Sequence, residues 1–147
     1  MIMAATIIPL VFFLYQIIID WVNLFPWNDI WRKNRLLKAQ EFIINYLPLL
    51  LIAYAYSHYT PSSLSWGMGG SILYLIGHII AWWKPYFLGA SPEEKSEYKM
   101  YFERTYKFLP AIDDNPVPDA QHVVLGIICL IMTILNTVIF FQYFKTS

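Results

Sequence analysis

The run Gly69–Trp83 contains no Lys, Arg, Asp or Glu but carries a histidine, His78. An imidazole in an apolar helix has no solvent partner, so it turns toward other helices or water, where it can accept, donate or relay a proton near neutral pH. Asp20, Gln40 and Glu41 lie at the inner ends of other apolar runs, and Asn45 and His122 within them, near the same predicted depth. Together with His78 they predict one polar pocket. His122, Gly126, Cys129, Thr133 and Asn136 follow helical spacing and predict a polar stripe along a single helix face.

These residue types allow several chemistries. A histidine beside Asp20 or Glu41 would make an acid–base pair acting on an amphiphilic substrate. Asp20, His78 and His122 would make a two-histidine, one-carboxylate set of the kind that suits zinc or iron. No local motif demands a metal, no Gly-rich phosphate loop follows a strand, and no Ser or Cys has a sequence context marking a nucleophile. Catalytic residues, metal and cofactor therefore stay unassigned by the sequence. Cys129, the single cysteine, excludes an internal disulfide.

What must position these residues is a set of membrane helices. Of the 147 residues, 58% are hydrophobic and only 14% charged, against about one quarter charged in soluble domains. Four stretches, residues 2–20, 42–60, 64–83 and 120–144, are long and apolar enough to predict spans. The expected fold is an all-α integral membrane protein, a four-helix bundle forming one membrane domain, with an amphipathic cytosolic helix added. The first span lacks a basic n-region and a small-residue cleavage site, so it reads as retained.

Lys and Arg set the orientation. Arg32, Lys33, Arg35 and Lys38 lie in connection 21–41, and Lys84, Lys95, Lys99, Arg104 and Lys107 in connection 84–119. The positive-inside rule puts both on the cytosolic side and both termini on the other. Trp21, Trp27, Trp31, Trp82 and Trp83 fall at the same inner ends, where amphipathic rings favour the headgroup layer.

Within the connections, Asn28 or Asp29 is expected to cap a helix running into the second span, and Asp119 to cap the last. Ser91-Pro92-Glu93-Glu94 is a capping box. The helix it opens is expected to reach Leu109, with Tyr98, Tyr101, Phe102, Tyr106 and Leu109 on one face and a Glu103–Lys107 pair on the other. Small residues Gly70, Gly77 and Ala81 predict close helix packing, and Pro48 a bend.

Lys38-Ala39-Gln40 followed by Tyr46-Leu47-Pro48-Leu49-Leu50-Leu51 resembles the start of the second helix in the MAPEG group of small trimeric four-helix membrane enzymes that use glutathione. That family has Arg, Asn and Glu where this chain has Lys38, Phe42 and Asn45. The resemblance thus implies an architecture and leaves out most of the family's thiol-binding residues.

Three functions remain open at this level. The pocket binds or passes an ion, a small solute or a lipid headgroup; or the protein is a membrane enzyme; or it is an accessory subunit that docks a protein partner through its cytosolic helix. The bilayer is the expected partner in each, and small-residue faces also predict a homo-oligomer. Mixed charges on the cytosolic helix give no nucleic-acid footprint.

Overall fold

The computed structural model describes residues 2–32 and 35–146, and among them every regular element is helical. Helix α1 spans Ile2–Trp21. A 3₁₀ turn, Ile30–Arg32, follows, and then a helical path in three consecutive pieces: α2 (Arg35–Glu41), a π-helical segment Phe42–Tyr46 and α3 (Leu47–His58). Helix α4 (Pro61–His78) continues through a second π segment, Ile79–Trp83, into α5 (Lys84–Leu88). Helix α6 spans Pro92–Phe102, and α7 runs from Ala120 to Thr146.

Among the described residues, three helices are long and apolar enough to cross a membrane: Ile2–Trp21, Pro61–Leu88 and Ala120–Lys145. The second segment, expected as one span over 42–60, is divided at Tyr46, and neither piece alone reaches that length. Proline supplies the reason. Pro48 has no N–H for the carbonyl of Ile44 and its ring crowds the turn before it, so the helix widens there. Leu47 N–H turns to the carbonyl of Phe42, five residues back. Pro85 has the same effect on Ala81, and Lys84 N–H turns to Ile79.

Helix α1 packs on α3 and α7, and α4 packs on the same two. Their shared core comprises Phe12, Ile19, Leu49, Tyr56, Leu64 and Met132, all fully buried or nearly so, with neighbours of similar kind. Close approach requires glycine at two positions. A Cβ on Gly67 would lie 2.5 Å from the Tyr56 ring, and one on Gly126 would lie 2.7 Å from His78 Nε2. Gly77 differs from its expected role, since nothing lies within 4 Å of its would-be Cβ, and Ala81 is likewise exposed.

The two basic connections meet at one end of the helices. Tyr106 N–H donates to the Pro26 carbonyl at 2.8 Å, the Arg104 guanidinium lies 3.9 Å from Asp29, and it sits 5.1 Å over the Phe25 ring. At the opposite end Thr60 and Ser63 form a capping box for α4 beside Tyr59, whose ring meets Tyr143.

Two expected helix boundaries are corrected here. Helix α6 stops at Phe102 and not at Leu109, because the backbone of Tyr106 is held between Pro26 and Ala120 N–H, a pairing no helix permits. Lys107 accordingly reaches back to the carbonyls of Phe102 and Glu103 at the helix end and of Thr105 just beyond it, in place of the expected Glu103 carboxylate. Asn28 does not open a helix. Its amide donates to the carbonyls of Ile19 and Val22 and its Oδ1 accepts from Leu24 N–H, so it closes the C-terminus of α1.

Candidate functional site

A cleft of about 440 Å³ opens between α1, the α2–α3 path and the α4–α5 path, near the end where the basic connections meet. Asp20, Glu41, Asn45, His78 and His122 all line it. Gln40, placed with them by the sequence, is exposed and is not among the lining residues. The apolar part of the wall includes Phe12, Ile44, Leu73 and Leu125.

The wall is built from residues whose first partners lie within the protein. Tyr46 hydroxyl donates to Asp20 Oδ2 at 2.9 Å, and Gln16 Nε2 donates to Tyr74 hydroxyl at 3.3 Å. Asp20 and Gln16 are buried, one helical turn apart on α1, as their spacing required. His78 presses its Nε2 against the α7 backbone at Gly126. Its ring thereby closes the seam between α4 and α7 as well as lining the cleft.

His122 is the most constrained group. Its Nδ1 lies 2.6 Å from Asp119 Oδ1, and that same oxygen accepts the backbone N–H of His122 at 3.0 Å. Asp119 is therefore both the N-cap of α7 and the carboxylate that fixes the ring. The ring stacks on Trp82 at 3.5 Å between centroids and meets the edge of Phe102 at 5.2 Å. Burial works against the charge of Asp119, yet the adjoining His122 and its two hydrogen bonds hold the carboxyl below the usual range.

Asp119 is the partner that sequence reasoning assigned only as a cap. Asp-x-x-His at the start of a helix places the two side chains on one face, and that spacing was the available signal. Trp82 was read as an interfacial anchor, and nothing in the sequence tied it to His122. The aromatic face of α6 is partly turned inward: Tyr98 hydroxyl donates to the Val117 carbonyl at 2.7 Å, and Phe102 meets Trp82 and His122. Burial pushes the Tyr98 hydroxyl up to about 12.

The stripe on α7 faces the protein's own interior. Asn136 Nδ2 donates to Ser71 Oγ at 2.6 Å, Thr133 Oγ1 donates to the Ser71 carbonyl at 3.1 Å, and Tyr56 hydroxyl donates to the Asn136 carbonyl at 2.8 Å. Cys129 is fully buried in the core beside them.

A second space, about 690 Å³ and predominantly apolar, runs along α3 and α4 toward Thr60, lined by Leu47, Leu51, Ala55, His58 and Trp66 among others. Pro48, Gly70 and Leu73 line both spaces, so the groove lies directly beside the cleft. Among the described residues no group of three or more His, Cys, Asp and Glu side chains is arranged to hold a metal ion, so Asp20, His78 and His122 do not form the metal set their types allow. No protein-family model, curated protein or solved structure matches the chain.

Proposed function

We propose that this is a four-helix membrane protein that binds an amphiphile, with the head in the cleft at the basic, cytosolic end and the tail in the groove between α3 and α4. In this reading the path Arg35–His58 is the fourth span, continuous although widened at Phe42–Tyr46, and both termini lie on the non-cytosolic side. The supporting observation is that Pro48, Gly70 and Leu73 line both spaces. A cleft whose wall carries Asp20, Glu41, Asn45, His78 and His122, beside a groove that is almost wholly apolar, matches a molecule with one polar and one apolar end better than it matches an ion or a small solute.

Photolabelling tests this directly. A single-chain amphiphile with a diazirine in its tail, added to the protein in nanodiscs, is expected to mark Leu47, Leu51, Trp66 and Leu73. Labels spread evenly over lipid-facing positions such as Leu14, Ile18, Ile134 and Phe141 would overturn the reading.

The enzyme alternative keeps one specific support, the Asp119–His122 pair beside the cleft. That pair replaces Asp20 or Glu41 as the carboxylate that orients the base. Turnover of a bound ester lost in His122→Ala, with the fold intact, would establish it. Permeation along the α7 stripe has less support, because Thr133 and Asn136 are engaged by Ser71 of the same chain.

A further inference from the structure

We infer that the polar end of the cleft selects a head group that carries hydrogen-bond donors, a hydroxyl or an ammonium N–H, in preference to a phosphate or a donor-free cation. The inference rests on the amphiphile reading above and specifies its ligand. Two independent features of the wall lead to it.

The first is His122. Nδ1 lies on Asp119, so the proton of a neutral imidazole resides on that nitrogen and Nε2 keeps its lone pair. The carboxylate that imposes this is fully buried and also accepts the helix N–H, so it holds the ring from two sides. Stacking on Trp82 fixes the ring plane, and the ring lines the cleft. With Nδ1 committed to Asp119, Nε2 of the neutral ring is the nitrogen left to accept from a ligand in the cleft.

The second is the backbone. Pro48 and Pro85 cannot donate to the carbonyls of Ile44 and Ala81, the partners that an α-helix would give them. Each proline directly follows a π segment, and both Ile44 and Ala81 line the cleft. Irregular helix backbone at membrane depth is tolerated where it borders a cavity and finds other partners there. Two widened turns from two helices therefore leave the carbonyls of Ile44 and Ala81 without their α-helical donors, in residues that line the same cleft as His122. Asn45 and Gln121 amides also line the space, but a phosphate would bring only more acceptor oxygens toward Asp20, Glu41 and the imidazole, whereas a hydroxyl or N–H would answer the imidazole and the carbonyls alike.

Competition against the diazirine amphiphile in nanodiscs separates the alternatives, using hexadecylglycerol, its dimethyl ether, hexadecylamine, hexadecyltrimethylammonium and hexadecyl phosphate. Hexadecylglycerol or hexadecylamine is expected to displace the probe at roughly tenfold lower concentration than the dimethyl ether, the value of one or two hydrogen bonds at a desolvated site. The better of those two identifies the donor as hydroxyl or ammonium. In His122→Phe, which keeps the ring on Trp82, the preference over the ether is expected to fall several-fold while labelling stays in the groove. Asp119→Asn, which keeps a cap, is expected to lower it less.

Equal displacement by the ether, or stronger displacement by the phosphate or the quaternary ammonium, overturns the inference. The wild-type series decides even where a variant fails to fold. Labels confined to the groove with no preference among competitors would remove this inference alone, and labels outside the groove would remove the amphiphile reading itself.

Discussion

Polar side chains enter this protein's apolar helices at two places, and the outcomes are opposite. Along the seam between α4 and α7, Thr133 and Asn136 both donate to Ser71, and Gly126 lets His78 close against the backbone. Beside the cleft, nothing lies within 4 Å of where a Cβ on Gly77 would be, Ala81 is exposed, and the space next to them stays open. Similar residues and similar spacing thus serve closure in one place and a chamber in the other. The difference lies in what stands opposite: a partner backbone at Gly126, and helix turns widened ahead of Pro48 and Pro85 on either side of the cleft.

The largest expected effect tests that contrast at two glycines. A side chain on Gly126 collides with the His78 ring and with Trp83 Nε1, which would lie 3.3 Å from the new Cβ. Gly126→Leu is expected to cost about 3 kcal/mol or more, by overpacking in a seam that cannot relax. Gly77→Leu, on the open face, is expected to change stability by about 0.5 kcal/mol or less while filling part of the cleft. Thermal unfolding in detergent compares them. Equal losses at the two positions would show that the cleft is as tightly packed as the seam.

Asn136→Leu comes next. It removes the bond to Ser71 Oγ in a side chain that is fully buried. Interhelical hydrogen bonds in membranes average about 0.6 kcal/mol and reach about 1.7, so a loss near about 1 kcal/mol is expected, read from the same unfolding curves. A gain in stability would mean that the seam is held by packing alone.

Much of this contrast was legible in the sequence, and the limits are physical. Helical periodicity depends only on local geometry, so the buried faces of Gln16, Asp20, Thr133 and Asn136 could be read directly. Contacts between distant segments could not. Nothing local says that Tyr106 pairs with Pro26 and Ala120, so α6 looked long enough to reach Leu109. Gly77 and Gly126 are chemically the same residue, and only their opposite numbers decide which one packs. Gln40 and Glu41 are neighbours on a helix, so near its end a rotation of one residue placed one inside the cleft wall and the other outside.

Pro85→Ala and Pro48→Ala sharpen the open side of the comparison. Each restores an N–H to the carbonyl four residues earlier, at Ala81 or Ile44, so the π segment is expected to tighten to an α-helix. Stability is expected to hold or rise by about 1 kcal/mol, and retention of the bound amphiphile to fall severalfold. Hydrogen exchange at residue 85 or 48 would report whether the new amide is protected. Rapid exchange with unchanged ligand retention would detach the cleft from its widened turns.

Two carboxylates near the end of the second basic connection complete the comparison, Asp114 with no expected effect and Asp119 with one that depends on pH. Asp114 pairs with Lys95 at 2.7 Å, but its side chain is 82% exposed, so solvent screens the pair and Asp114→Asn is expected to leave the unfolding temperature unchanged. Asp119 is buried and its carboxyl is held below the usual range against the pull of burial. A depressed carboxyl contributes stability that is complete above the unfolded carboxylate pKa and disappears as pH falls through the folded one. The wild-type protein is therefore expected to lose stability only on the acid side of the usual carboxylate range. Asp119→Asn, which retains the cap, is expected to flatten that acid limb while leaving behaviour at neutral pH nearly unchanged. Asp119→Ala removes the cap as well and is expected to lower stability by about 1–2 kcal/mol at neutral pH too. Unfolding temperatures measured from acid to neutral pH on all three proteins separate the charge of Asp119 from its acceptor geometry. If Asp119→Asn kept the full acid limb, the ring of His122 would be held by stacking on Trp82 and not by the carboxylate.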